Sequence, residues 1–207
     1  MTWFADWFSV AASIALFTVF GFFFIKPVGK RDWRGLGIYE AFIVSLFTEM
    51  FGIPITIYAL SSFFGLPLAT DPSQGHLLAA LLALAGVWDL QTGVTVVMTT
   101  SILIIAFGGY LVVEGWSRVH GSADQLATTG VYGVVRHPQY LGLIIATGAF
   151  LIQWPTIVTV AMWPILVYAY YHQAKKEERQ MEEKFGETYR QYKQRIPMFI
   201  PRFRRGA

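Results

Sequence analysis

The chain has 207 residues, 55% of them hydrophobic and only 14% charged, with a net charge of +3. A soluble domain of this length would struggle to hide so much apolar surface, so the composition points to a single membrane domain over residues 1–207. With no cysteine in the chain, disulfides, thiolate metal sites and cysteine nucleophiles are excluded.

Trp3 to Ile25 is a continuous apolar run of about 23 residues, enough to cross a hydrocarbon core of roughly 30 Å. No basic stretch precedes it and it is too long for a signal h-region, so it reads as a first span. Leu36 to Phe64 is a second, longer run marked by Glu40, Glu49 and Pro54. Leu77 to Val87 holds only about 11 apolar residues and fits an interfacial or re-entrant segment. Val94 to Val113 is free of charge until Glu114, and two shorter runs follow, Tyr140 to Ile152 and Thr156 to Tyr171. Gln153-Trp154-Pro155 between them predicts a tight helical hairpin. The expected fold is all-α. It has about five transmembrane helices, the short Leu77–Val87 segment and a C-terminal amphipathic helix, with residues 1–114 forming the N-terminal spans.

All 16 lysines and arginines fall in three windows, Lys26 to Arg34, Arg118 to Arg136 and Lys175 to Arg205. Cationic residues near span ends favour the cytoplasmic side. Five spans, with Leu77–Val87 not crossing, put all three windows on that face; a sixth crossing would separate them. A basic cytoplasmic face suits anionic lipid headgroups and does not require nucleic acid.

Glu49, near the middle of a span, is a functional candidate because a carboxyl there is expensive; the competing reading is a protonated carboxyl hydrogen-bonded inside the bundle. Glu40 precedes it by nine residues, about 900° around a helix, so the two do not form a carboxylate pair. His76 and His120 lie in loops without metal-ligand neighbours at ligand spacing.

Between the runs Val94–Val113 and Tyr140–Ile152 lies Gly130-Val-Tyr-Gly-Val-Val-Arg-His-Pro-Gln-Tyr140, and Glu177-Glu178 follows the last run. After it, Met181, Phe185, Tyr189 and Tyr192 recur at i, i+4, i+8 and i+11, predicting an apolar stripe on a charged helix that folds back on the membrane-proximal loop. Gly186 weakens that helix, and Pro197 and Pro201 end it. Taken singly, Arg136 reads as a snorkelling anchor, His137-Pro138 as a helix start and Glu177-Glu178 as a solvated face. In order and on one face, they read as a site.

Together with Phe185-Gly-Glu-Thr-Tyr189-Arg-Gln-Tyr192, Ile196-Pro197 and Pro201, these elements resemble the C-terminal half of the isoprenylcysteine carboxyl methyltransferase and phospholipid methyltransferase group of integral membrane enzymes. The resemblance covers roughly residues 115 to 202. It implies methyl transfer from S-adenosylmethionine to a lipophilic acceptor drawn from the bilayer, such as a prenylated cysteine carboxylate or a lipid headgroup. It also places Gln125, Leu126, Ala127, Tyr132, His137, Pro138, Gln139, Tyr140 and Glu177 at the cofactor. Glu178 joins them as the neighbouring carboxylate, Arg136 and His137 are the catalytic candidates, and Arg136 and the mid-span Glu49 are the candidates for binding the acceptor. The chain departs from the eukaryotic isoprenylcysteine enzymes at Gln173, beside His172, where they carry an arginine that positions the substrate.

Such a transfer needs alignment and a dry site, with neither a metal nor a covalent nucleophile. No Rossmann-type glycine fingerprint follows a predicted strand, so a cofactor pocket has to be built from the motif loop and the C-terminal helix. Two other readings are open. Membrane sterol reductases carry a similar Arg-His-Pro-x-Tyr segment and bind NADPH, though in longer chains. A non-catalytic lipid-binding scaffold explains the basic face but not the ordered motifs.

Overall fold

Prolines, glycines and capping threonines set the helix boundaries in a computed structural model that describes residues 5–24, 33–65, 75–120 and 125–201. Among the described residues the secondary structure is helical, with no strand. The α-helices are α1 (Trp7–Phe24), α2 (Trp33–Phe47), α3 (Ile55–Phe64), α4 (Leu77–Leu84), α5 (Leu90–His120), α6 (Pro138–Gln153), α7 (Ile157–Phe185) and α8 (Glu187–Arg195). Pro138 opens α6 at its first turn, where a missing N–H leaves no bond unmade. Thr156 caps α7, accepting from the Thr159 N–H at 3.0 Å, while the Thr159 hydroxyl accepts from the Thr156 N–H at 3.2 Å. The α6–α7 hairpin is therefore as tight as expected.

The bundle has two distinct ends. At one, the Tyr140 ring of α6 stacks on the Tyr170 ring of α7 with centroids 5.4 Å apart, Tyr39 of α2 joins them in one core, and Gly21 of α1 abuts the Tyr39 ring. At the other, the Thr56 N–H donates to Glu49 at 2.9 Å, the Ile157 N–H donates to the Thr56 hydroxyl at 2.9 Å, and His76 Nδ1 lies 2.8 Å from the Gln153 carbonyl. Helices α1, α5 and α7 accordingly run toward the first end, and α2 and α6 run away from it. Helix α4 stays at the far end; its 8 residues make only about 12 Å. Helices α1, α5 and α7 thus end, and α2 and α6 begin, at the first end, where Arg118, Arg136 and the described cations from Lys175 to Arg195 lie. Residues 26–32, 121–124 and 202–205 of the three basic windows lie outside the described residues.

Among the described residues, Leu90–Val119 is long and apolar enough on its own to cross a bilayer, and α2 with α3 supplies a second crossing if the bent pair is one span. Trp7–Phe23 and Pro138–Gln153 are apolar but shorter. The run Leu36–Phe64, expected as one continuous element, breaks at a π-helical turn over Thr48–Gly52 and bends by 73°. The physical reason is Pro54, which cannot continue a helix.

Helix α5 packs on α6 through paired glycines. A Cβ on Gly108 would lie 2.6 Å from the Gly142 carbonyl oxygen, and a Cβ on Gly142 would lie 2.9 Å from Val112 Cγ2. Apolar burial scarcely discriminates helix from lipid, so such close backbone approach is what holds helices together in a bilayer.

The C-terminal amphipathic helix is corrected in one respect. Helix α7 runs without a break from the apolar run into the charged segment and stops at Gly186, whose φ of 54° ends the helix. The predicted stripe is thereby divided, with Met181 and Phe185 on α7 and Tyr189 and Tyr192 on α8. Tyr189 and Tyr192 are buried by the fold-back.

Candidate functional site

Three segments meet at the basic end: the turn-rich loop before α6, the last turns of α7, and α8 with the strap after it. A 3-10 turn over Gly130–Gly133 buries Tyr132. Its left-handed first residue, Gly130 (φ 63°), lies so close to Arg118 that a Cβ would come within 2.9 Å of the guanidinium carbon. The Tyr192 hydroxyl of α8 donates to the Tyr132 carbonyl at 2.7 Å. The strap then pairs with the loop, the Arg136 N–H donating to the Pro197 carbonyl at 2.9 Å and the His137 N–H to the Met198 carbonyl at 3.2 Å.

Adjacent carboxylates on α7 take separate partners because successive helical residues point about 100° apart. Glu178 turns inward. Arg136 Nη2 lies 2.6 Å and Nε 2.9 Å from its Oε1, and Lys193 Nζ lies 3.2 Å from its Oε2. The Arg136 and Glu178 side chains are only 8% and 1% exposed. Arg136 Nη1 donates to the carbonyls of Lys193, at 3.0 Å, in the last turn of α8, and of Ile196, the residue that follows the helix. The guanidinium therefore joins the motif loop to α7 and caps α8 in one step.

Glu177 turns toward the loop instead. Its Oε1 accepts from the Tyr140 hydroxyl at 2.6 Å, its Oε2 lies 3.7 Å from His137 Nδ1, and at 16% exposed it stays open to the outside. His137 Nε2 lies 3.5 Å from Glu178, so the imidazole sits between both carboxylates. Burial pushes the His137 pKa down, but the two carboxylates outweigh burial and raise it above the ordinary imidazole range. Burial pushes Glu178 up, yet His137 and Arg136 prevail and hold it at about 2. Burial, with Glu177 adding to it, pushes the Tyr132 phenol up.

The structure thus brings together Tyr132, Arg136, His137, Pro138, Tyr140, Glu177 and Glu178. Gln139 lies against α5, where a Cβ on Gly115 would come within 2.9 Å of its Cγ. Gln125 is exposed, with Leu126 and Ala127 half-buried, at the start of the same loop; the adjoining Asp124 lies outside the described residues. Glu49 stands apart. It is 4% exposed and caps α3, and the Glu49–Thr56–Ile157 chain of hydrogen bonds puts it about 30 Å from Glu177, which lies 20 residues along α7 from Ile157.

Sequence reasoning missed Lys193, which binds Glu178 and also Glu182 at 2.6 Å. It also missed Phe199, whose ring centroid lies 6.0 Å from that of His137. Both reach the site only because the chain reverses at Gly186, and the glycine itself was the available signal. Buried Gln173 sits on α7 one turn before Glu177.

Residues 88–188 match the phospholipid methyltransferase family model. The chain is 28% identical over 119 residues to a protein-S-isoprenylcysteine O-methyltransferase of Schizosaccharomyces pombe, covering 52% of this chain and 50% of that protein, so it spans about half of that relative's length. It is 27% identical to methanethiol S-methyltransferase 2 of Bradyrhizobium diazoefficiens, over 94% of this chain and 86% of that protein. Methanethiol S-methyltransferase 1 of the same organism is 33% identical over 51% of the chain and 38% of its own length. No solved structure matches the chain significantly.

Proposed function

Because this chain resembles the isoprenylcysteine and phospholipid methyltransferase group, and the family match bears that resemblance out, we propose that it is an integral membrane methyltransferase using S-adenosylmethionine and acting on a lipophilic acceptor. The observation that carries this reading is the split of the two carboxylates. Glu178 is consumed by Arg136, Lys193 and His137, while Glu177, held by Tyr140, keeps a partly exposed oxygen for a ligand.

The residues present fit the cofactor. A half-open carboxylate suits its ammonium or ribose hydroxyls through charge-assisted hydrogen bonds. Bound there, S-adenosylmethionine supplies an electrophilic methyl group on a sulfonium that becomes neutral on transfer. Tyr140 fixes the Glu177 rotamer, Arg136 ties loop and α8 around the pocket, and Phe199 with the strap keeps water off His137. For an acceptor that needs to lose a proton, the partly exposed Glu177 carboxylate is the nearest open group, since both ring nitrogens of His137 face carboxylates.

Five crossings with the site on the cytoplasmic face are supported by the basic stretches leaving from the site end, and by apolar residues such as Leu103, Phe107, Ile165 and Tyr168 exposed on α5 and α7. Gln173 in place of a substrate-positioning arginine weighs against a prenylcysteine carboxylate as acceptor. A thiol acceptor is a second reading, favoured by the near full-length similarity to methanethiol S-methyltransferase 2.

Equilibrium binding of S-adenosylmethionine to detergent-purified protein tests the proposal, and absence of saturable binding sinks it. Incubation with labelled cofactor and, separately, membrane lipids, prenyl-cysteine analogues and alkyl thiols then identifies the acceptor.

A further inference from the structure

Helix α7 carries a second polar surface on the side turned away from the carboxylate site. Glu177 follows Tyr168 by nine residues, about 900° around the helix, so the two side chains point in opposite directions. Tyr168 is 65% exposed. His172, Lys175 and Arg179 continue its face at i+4, i+7 and i+11, with His172 and Arg179 exposed and Lys175 half-buried. Tyr171 and Lys176, both exposed, flank this stripe. The His172 ring centroid lies 4.2 Å from that of Tyr168 and 5.7 Å from that of Tyr171, and Lys175 Nζ stands 5.6 Å from the Tyr171 centroid. The nearby carboxylates Glu178 and Glu182 turn to Arg136 and Lys193, and exposed Glu183 lies one turn beyond Arg179, past the end of the stripe.

We propose that this outward face of α7 seats the headgroup phosphate of an anionic phospholipid from the leaflet at the site end. The proposal rests on the membrane reading and is independent of methyl transfer. Measured along α7 from Ile157, Tyr168 and Tyr171 stand at about 17 and 21 Å, and Lys175 and Arg179 at about 27 and 33 Å. The two cations therefore bracket the boundary of a hydrocarbon core roughly 30 Å thick, with the tyrosine rings just inside it, as amphipathic rings and cations arrange themselves at a membrane surface. A phosphate at that depth accepts from the Lys175 ammonium and from the forked Arg179 guanidinium. Ile165, 57% exposed one turn below Tyr168, offers its side chain to the acyl chains. A choline headgroup brings its own cation toward these residues and gains less. The cation–π contact with Tyr171 already restricts Lys175, so less side-chain freedom is lost on binding.

The test places the full chain in phosphatidylcholine nanodiscs with a small fraction of spin-labelled phosphatidylglycerol or, separately, spin-labelled phosphatidylcholine, and reads the motionally restricted fraction by electron paramagnetic resonance. Wild type is compared with Lys175→Gln/Arg179→Gln, with Arg179→Gln alone, and with Arg190→Gln/Arg195→Gln, which removes the same charge from exposed positions of α8. Wild type is expected to prefer the phosphatidylglycerol label. Its affinity should fall about fivefold in Arg179→Gln and about tenfold or more in the α7 pair, and should stay within about twofold of wild type in the α8 pair. Unfolding midpoints measured on the same samples confirm that each variant is folded, and Arg179→Gln alone carries the comparison if the α7 pair is not. Equal weakening by the two pairs would reveal only the diffuse field of a basic face and overturn the proposal. Unchanged phosphatidylglycerol binding in the folded α7 variants overturns it too, as does a wild type with no preference between the two labels.

Discussion

Arg136 reaches Glu178 across 42 residues of sequence with Nη2–Oε1 and Nε–Oε1 distances of 2.6 and 2.9 Å, and neither side chain is open to solvent. A buried pair of this kind is weak evidence for stability as a unit, yet removing one partner strands a charge in a low-dielectric interior. Arg136→Ala and Glu178→Gln are each expected to destabilise the protein by about 3–5 kcal/mol, read as a fall in thermal unfolding midpoint in detergent. A double variant should lose less than the sum of the two. Full additivity would show that the residues do not act as a pair.

Glu177→Gln is expected to behave differently from its neighbour. It removes a charge that is partly exposed and held by the Tyr140 hydroxyl and, at 3.7 Å, by His137, so the unfolding midpoint should fall less than in Glu178→Gln. Binding of S-adenosylmethionine should weaken by about 1.5–3 kcal/mol, the worth of a hydrogen bond to a charged group. A titration in which Glu178→Gln spares stability and Glu177→Gln spares cofactor affinity would reverse these assignments.

The site also predicts a pH dependence with a definite sign. His137 has a raised pKa in the folded protein, because the two carboxylates outweigh its burial. Its contribution to stability is therefore complete below the ordinary imidazole value and is lost as pH rises through the raised folded value. Glu178 is depressed to about 2, so its contribution is present above the ordinary carboxylate range and is lost as pH falls toward that value. Unfolding midpoints measured from about pH 5 to about pH 9 should decline on the alkaline side in wild type and less so in His137→Gln. An identical decline in both would remove His137 from the account.

Substitution at the α5–α6 contact tests the packing. A methyl on Gly108 or Gly142 meets backbone of the facing helix, which cannot swing aside as a side chain can. Gly108→Ala and Gly142→Ala should each cost about 1–3 kcal/mol, whereas Gly109→Ala, with nothing within 4 Å, should be neutral or slightly stabilising. Unfolding midpoints of the three variants decide it.

Glu49 supplies a control. It caps α3 through the Thr56 N–H, and losing a cap costs about 0.5–2 kcal/mol. Glu49→Ala should lower stability by that order and leave cofactor affinity as in wild type. A tenfold loss of S-adenosylmethionine binding without unfolding would place Glu49 in the site after all.

Much of this protein is legible in one dimension. Helix type, the hairpin at Gln153–Pro155 and the non-spanning length of α4 follow from local rules, because proline geometry, capping and run length act within a few residues. The constellation Tyr132, His137, Tyr140 and Glu177 was also readable, since it sits in two short polar segments that interrupt apolar runs. What only the tertiary structure decided is which of two adjacent carboxylates remains open to a ligand. Glu177 and Glu178 are chemically identical and differ by one helical step, so their fates depend on where the loop and α8 lie. The reversal at Gly186 brings Lys193 and the α8 carbonyls to Arg136, turning an arginine that sequence reads as a catalytic candidate into a clamp. Glu49 likewise gained its partner only when Pro54 bent the chain by 73°, and its remoteness from Glu177 follows from the length of α7 between them. The contacts of Arg136 form with a side chain and a backbone carbonyl more than 40 residues away, and spacing along a sequence carries no record of them.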